Sequence, residues 1–287
     1  MSRNKSRVGA KKTTSSPVPQ HVMQGDNKGG MALAFVVPTE FVDLPSGGRF
    51  YPEGHPLHDK DCIELKQMTA REEDILTSRT LLKKGVALDR VIESIIVDKS
   101  IDPNTLLVGD RNAIIIAIRS SGYGSDYSTN VTCPGCGEIN RYTFDLREAN
   151  VYRGEDAHQL ELVDHGDGTF TTTLPKTSID VRFRLLVGHD EKNLASSVTN
   201  ARKRKGEEHN VTNQLANLLV AVNEDDSAEA RNYVINNIPS MDSRHLRMAY
   251  KLAAPNIDLK QYFECPECEY SQDMEVPLGA EFFWPDR

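Results

Sequence analysis

Four of the chain's five cysteines stand in two short motifs far apart in sequence, Cys133-Pro134-Gly135-Cys136 and Cys265-Pro266-Glu267-Cys268. In each, two thiols three positions apart sit on a tight turn that can offer both sulfurs to one ion. Zn(II) has no d-electron preference for geometry and is saturated by four thiolates in a tetrahedron, and paired C-x2-C turns are the usual way to supply them. Iron suits the same four sulfurs, although zinc is the commoner occupant. The readings without a metal are a disulfide pair or four unrelated buried cysteines. The close spacing within each motif disfavours a disulfide there, and nothing in the chain points to an oxidising compartment. Four thiolates leave no coordination position open to water or substrate, so the expected role of this site is structural rather than catalytic.

Strands must hold the two turns. Tyr127 to Val131 leads into the first, and Tyr142, Phe144 and Leu146 alternate with other residues after it, as in a half-buried strand. Tyr262-Phe263 precedes the second turn, and Met274, Val276 and Leu278 alternate beyond it. Two such hairpins meeting at one ion make a zinc ribbon. Roughly 130 residues separate the halves, against the twelve to twenty of a compact zinc finger. A substantial unit is therefore expected between them, and metal binding would close a long loop.

The fold class expected is α+β: a helical core domain with a split four-cysteine zinc ribbon and an inserted unit of a β-hairpin plus helices. Residues 1–30 are rich in Lys, Arg, Ser, Gly and Gln and read as a disordered basic arm. Residues 31–150 carry the helical core and first knuckle. Ala34 to Val37 reads as a strand, and Phe41 to Pro52 as an extended, turn-rich segment that lays aromatic side chains across a surface. Thr69-Ala70-Arg71-Glu72 is a capping box opening a helix that Gly85 closes. Leu88, Val91, Ile92, Ile95 and Ile96 stripe a second helix, and Asp110 is placed to cap a third over Arg111 to Ser120. Residues 151–254 form the insert. It holds a hairpin across His165 to Gly168, a strand over Val181 to Leu186, a helical stripe at Leu215, Leu218, Leu219 and Val222, and two more helices capped by Ser227 and Ser240. Residues 255–287 supply the second knuckle and a C-terminal aromatic tail.

Other chemistry is sparse. The chain has no G-x-S-x-G elbow and no H-E-x-x-H. His55, His58, His165 and His189 read as scattered surface histidines, Cys62 as a small buried side chain, and Arg202 to Lys205, followed by Glu207 and Glu208, as a solvated helix end. A net charge of −8 argues against a general nucleic-acid binder. No apolar run approaches membrane-span length, and Met31 to Val37 is too short and too late for a secretory signal. A reducing cytoplasm is the expected setting.

Several segments share an order that resembles a known family. They are Leu44-Pro45-Ser46-Gly47-Gly48-Arg49-Phe50-Tyr51-Pro52, Met68-Thr69-Ala70 with Glu73-Asp74, Val108-Gly109-Asp110-Arg111, Gly122 through Tyr127 before the first knuckle, and Phe282-Phe283-Trp284-Pro285 after the second. This order resembles the baseplate-hub subunit and hub assembly proteins of T-even-like contractile-tailed bacteriophages, over about residues 35–150 and 255–287. The resemblance implies a late, non-enzymatic morphogenesis protein that works in the host cytoplasm during assembly, with the virion tail baseplate as its further location, and whose partners are other baseplate or hub proteins. Phe35, Phe41, Phe50, Tyr51, Phe282, Phe283 and Trp284 are the expected partner contacts, because aromatic anchors dominate interface energetics; the competing reading packs them in the core. The rival function is a zinc-ribbon regulator of nucleic acid, whose binding would weaken steeply with salt.

Overall fold

A computed structural model describes residues 37–204, 210–276 and 282–283. The basic arm, Ala34 to Val36 of the first expected strand, and Trp284 lie outside the described residues. The first described strand, β1 (Thr39–Asp43), pairs antiparallel with β2 (Cys62–Lys66). The stretch between them turns back on itself, so Phe50 and Tyr51 go into the core rather than across the surface.

Helix α1 (Ala70–Thr77) opens on the expected capping box. Thr69 Oγ1 accepts from the Arg71 amide, while Glu72 takes the Thr69 amide at 3.0 Å. Glu72 also accepts from Ser94 Oγ at 2.6 Å, which ties this helix start to the third helix. The single helix expected up to Gly85 is broken at Ser78, whose ψ of 107° is extended, and a short α2 (Arg79–Lys84) follows. Thr77 and Ser78 are poor interior residues because their hydroxyls compete for backbone groups, and Thr77 Oγ1 does donate to the Glu73 carbonyl. Gly85 then closes α2 in the left-handed conformation, as expected. In α3 (Ala87–Ile95) the stripe of Val91, Ile92 and Ile95 is fully buried.

The central helix, α4 (Val108–Tyr123), differs from expectation at its start. Asp110 is not its cap; it lies in the first turn, wholly buried. Its carboxylate accepts from the Ser46 amide at 2.9 Å, from Ser46 Oγ at 2.6 Å and from Tyr51 Oη at 2.8 Å. Tyr51 Oη in turn accepts the Leu107 amide at 3.1 Å. The Ser-Gly-Gly-Arg-Phe-Tyr segment is thus pinned to the start of α4 by one buried carboxylate. Gly109 lets the helix cross the chain beside Pro255: a Cβ there would lie 1.9 Å from the Pro255 carbonyl oxygen. At the other end Arg119, only 1% exposed, donates to the carbonyls of Gly124 (2.5 Å) and Asp126 (3.1 Å), fixing how the chain leaves the helix.

Hairpin β3 (Asp126–Thr132) and β4 (Ile139–Asp145) carries the first knuckle. Strand β5 (Asn150–Tyr152) pairs with β10 (Asn256–Asp258), so residues 151–254, the expected insert, leave and return at neighbouring points. Inside the insert, β6 (Val163–Asp164), β7 (Thr169–Thr173), β8 (Asp180–Arg184) and β9 (Leu219–Val222) form one antiparallel sheet in that order. Helices α5 (Gly188–Arg204), α6 (Asn210–Leu218), α7 (Ala228–Asn237) and α8 (Ser240–Ala253) complete it. The expected stripe from Leu215 to Val222 divides at Leu218: Leu219 to Val222 leave the helix because their backbone pairs with β8, Val222 opposite Val181. A short apolar run fits either state, and the sheet decides it.

The insert shares one core with the helices. The Val108 amide donates to the Leu186 carbonyl at 3.0 Å, Phe50 meets Phe170 edge-on at 5.8 Å, and Arg111 pairs with Asp89 (2.6 Å) and Glu191 (3.2 Å). Finally, β11 (Lys260–Glu264) and β12 (Ser271–Glu275) form the second knuckle's hairpin.

Burial outweighs the hydrogen bonds at Asp110 and holds its carboxyl above the usual range near 3.9. The native state therefore binds this proton more tightly than the unfolded chain. The contribution is fully present below the unfolded value and is lost as pH rises through the higher folded value. Replacing Asp110 with Asn, which sets an amide against three donors, is expected to cost about 2–3 kcal/mol. In urea titrations the margin of wild type over Asp110→Asn should be widest near pH 4 and narrow toward neutrality; a margin that grows with pH would refute the assignment.

Candidate metal centre

The two knuckles are local copies of one turn. The Cys133 amide donates to the Glu138 carbonyl at 2.8 Å and the Gly137 amide to the Cys133 carbonyl at 2.9 Å; the matching bonds from Cys265 to Tyr270 and from Glu269 to Cys265 are 2.8 and 3.1 Å. The residue after the second cysteine has positive φ in both, 78° at Gly137 and 57° at Glu269. Glycine adopts this conformation freely, whereas glutamate is strained in it.

Cross-hairpin contacts bring the turns together. Tyr142 packs against Phe263 with centroids 5.2 Å apart and donates to the Tyr262 carbonyl at 3.1 Å. The Gln261 side chain holds Asp145 by both backbone groups, accepting its amide at 3.1 Å and donating to its carbonyl at 2.6 Å. Tyr127 and Phe144 of the first hairpin and Phe263 of the second are fully buried.

This packing sets all four sulfurs within 4.8 Å of one another. Cys133 to Cys268 is 3.7 Å and Cys136 to Cys265 is 3.8 Å. A tetrahedron of metal–sulfur bonds of about 2.3 Å has edges of about 3.8 Å, so the donor set fits zinc in number, kind and spacing. Cys133 and Cys265 are buried, Cys136 and Cys268 exposed. The Gly135 amide lies 3.3 Å from Cys133 Sγ and Asn140 Nδ2 lies 3.5 Å from Cys265 Sγ, donors of the kind that orient and tune a metal's ligands.

At Cys133 desolvation opposes the thiolate, yet the Cys136 and Gly135 amides and neighbouring thiols stabilise it and bring the group down to about 7. At Cys268 the Tyr270 amide favours the thiolate, but desolvation and the other three sulfurs outweigh it and push the thiol up to about 12. Crowded sulfurs part readily with a first proton and hold a last one, which a divalent cation would displace.

A family model described as T4 bacteriophage base plate protein matches residues 37–284, nearly the whole described chain. The chain belongs to this family. Neither the curated proteins nor the solved structures offer a match. Membership in the base plate family makes the protein a phage tail component that associates with other baseplate proteins. No helix among the described residues is long and apolar enough to cross a membrane.

In this base plate protein the aromatic residues expected at partner contacts separate into two groups. Phe50, Tyr51, Phe282 and Phe283 are buried; Phe282 packs edge-on against Tyr127 of β3 at 5.2 Å. Phe41 is 70% exposed on β1. Phe35 and Trp284 lie outside the described residues, as do the side chains of Arg202 to Lys205. His55 is part-exposed, with its ring stacked on Tyr51 at 4.5 Å and its Nε2 at 2.9 Å from Thr105 Oγ1. His189 stands in the first turn of α5 rather than at a strand end. Asn140 lies against a sulfur of the cluster and Gln261 ties its two hairpins, and sequence reasoning passed over both. Each acts through contacts that no local spacing encodes.

Replacing Glu269 with Gly is expected to raise unfolding free energy by about 1 kcal/mol, and Gly137→Ala to lower it by a similar amount, since open space surrounds Gly137 and only φ opposes the methyl. Denaturant titrations of both variants under reducing conditions test this. Equal stability of Glu269→Gly and wild type would show that the turn stores no backbone strain.

Proposed function

We propose that this protein is a non-enzymatic structural or assembly component of the baseplate hub, whose two distant ribbon halves are tied by one structural Zn(II) on Cys133, Cys136, Cys265 and Cys268. The observation that carries the proposal is the cluster of four sulfurs, formed by turns 132 positions apart, in a chain of the base plate family. Bound there, zinc would supply cross-linking and no reaction, because four thiolates leave it no vacancy. The protein's own residues do the rest: Asn140 and the knuckle amides hold the thiolates, and Gln261, Tyr142 and Phe263 hold the hairpins in register. Apparent binding free energies of roughly 10–16 kcal/mol are available to such sites and couple directly to folding.

The nucleic-acid reading gains nothing from the ribbon's surface. Its second hairpin exposes Glu264, Glu267, Glu269, Asp273 and Glu275 against a single Lys260, a field that repels phosphate.

Elemental analysis of protein purified under reducing conditions should return one zinc per chain, lost in both Cys136→Ser and Cys268→Ser together with a large drop in thermal stability. Zinc retained by either variant would refute a shared site. For the hub role, an amber mutation in the gene should leave lysates without normal baseplates in electron micrographs, restored by wild type in trans but not by Cys133→Ser/Cys265→Ser. Normal contractile tails from the amber mutant would overturn the assignment.

A further inference from the structure

Strand β1 forms one side of a two-stranded sheet. Val42, with Ile63 and Leu65 of β2, faces the core, whereas Thr39, Phe41 and Asp43 occupy the exposed face. The Gln67 amide donates to the Pro38 carbonyl at 2.9 Å and the Leu44 amide to the Asp61 carbonyl at 2.7 Å, continuing the register of Thr39 with Lys66. In an antiparallel ladder such hydrogen-bonded pairs alternate with pairs that are not. Even-numbered residues of β1 therefore point their backbone groups at β2. The N–H and C=O groups of Thr39, Phe41 and Asp43 point to the opposite edge, where none of the described residues pairs with them. Protein edges are ordinarily blunted by outward charge, proline or bulges because they template pairing. This one instead displays a phenylalanine, 70% exposed, at its centre.

We propose that β1 is a self-association edge, pairing antiparallel with β1 of a second copy about a two-fold axis through Phe41. Thr39-Glu40-Phe41-Val42-Asp43 is complementary to itself in that register. Thr39 falls opposite the partner's Asp43, Glu40 opposite the partner's Val42, and Phe41 opposite the partner's Phe41. No like charges face each other, although two of the five residues are acidic. A slip of one residue mismatches the hydrogen-bonding groups, and a slip of two toward the N-terminus sets Glu40 against its own copy. In-register pairing satisfies roughly six backbone groups of each edge and joins the two hairpins into one sheet. The area is small for a specific interface, so the dimer should form and dissociate with concentration. Each copy carries a net charge of −8, so added salt should strengthen it.

Full-length protein with Cys62→Ser, the four knuckle cysteines retained, is tested with Phe41→Cys and, separately, Thr39→Cys. Residues directly opposite in a hydrogen-bonded pair have Cα atoms about 5.5 Å apart, within disulfide reach, whereas the two Thr39 positions are far beyond it. Mild oxidation should yield a 41–41 disulfide peptide by mass spectrometry at least tenfold above any 39–39 peptide. Sedimentation velocity should show a concentration-dependent dimer that Phe41→Asp, with unchanged circular dichroism, abolishes. Three results overturn the proposal: a wild-type monomer at every concentration with no 41–41 peptide, equal cross-linking at both positions, or a dimer indifferent to Phe41→Asp. A 41–41 disulfide that forms only after deletion of residues 1–36 also overturns it, since the chain's own N-terminal segment would then cover the edge.

Discussion

Two turns more than a hundred residues apart must present their sulfurs within 4.8 Å, and the architecture follows from that convergence. Crowded thiols repel one another as they ionise, so sulfur alone does not hold them; the packing of Tyr142 against Phe144 and Phe263 across the hairpins does. Gln261 adds direction to this packing. Its amide takes both backbone groups of Asp145 and so substitutes for a ladder between β4 and β11, which pair with other strands. Hydrophobic burial brings the hairpins together without fixing their rotation, and a bidentate amide fixes it.

The same constraint explains how the insert is accommodated. Its first and last strands, β5 and β10, pair with each other immediately beyond the two hairpins, so the ribbon sees only a closed neck. Beyond the neck the insert joins the helices through the shared apolar core, and ion pairs add to that junction: Arg111 of α4 with Glu191, and Lys192 with Asp89 of α3. Such groups are partly desolvated and specify a unique seat more than they add stability. Asp110 plays a comparable part on the other flank of α4, where one buried carboxylate dictates the path of Ser46 to Tyr51.

For a baseplate component these features describe a stiff connector. The helical platform, the insert and the ribbon share one core, while acidic side chains and the aromatic rings of Phe41, Tyr233 and Tyr262 are displayed outward. Assembly proteins bind through surfaces, and rigidity lowers the entropy lost when those surfaces are engaged.

The cysteines of the cluster were legible in sequence because C-x2-C spacing is a local signal, and so were the capping box at Thr69, the glycine stop at Gly85 and the buried stripe of α3. Each depends on residues within a turn or two of one another. The family resemblance was legible for a related reason, since it rests on contiguous motifs. What needed the tertiary structure was every choice between two locally acceptable states. Leu219 to Val222 fit a helix or a strand until β8 offered hydrogen bonds. Asp110 fits a cap until Ser46 and Tyr51 surround it. Phe50, Tyr51, Phe282 and Phe283 fit a surface or a core until the chain folds back over them. Neither the meeting of the knuckles nor the roles of Gln261 and Asn140 could be read locally, because the free energy that places them comes from contacts between residues distant in sequence.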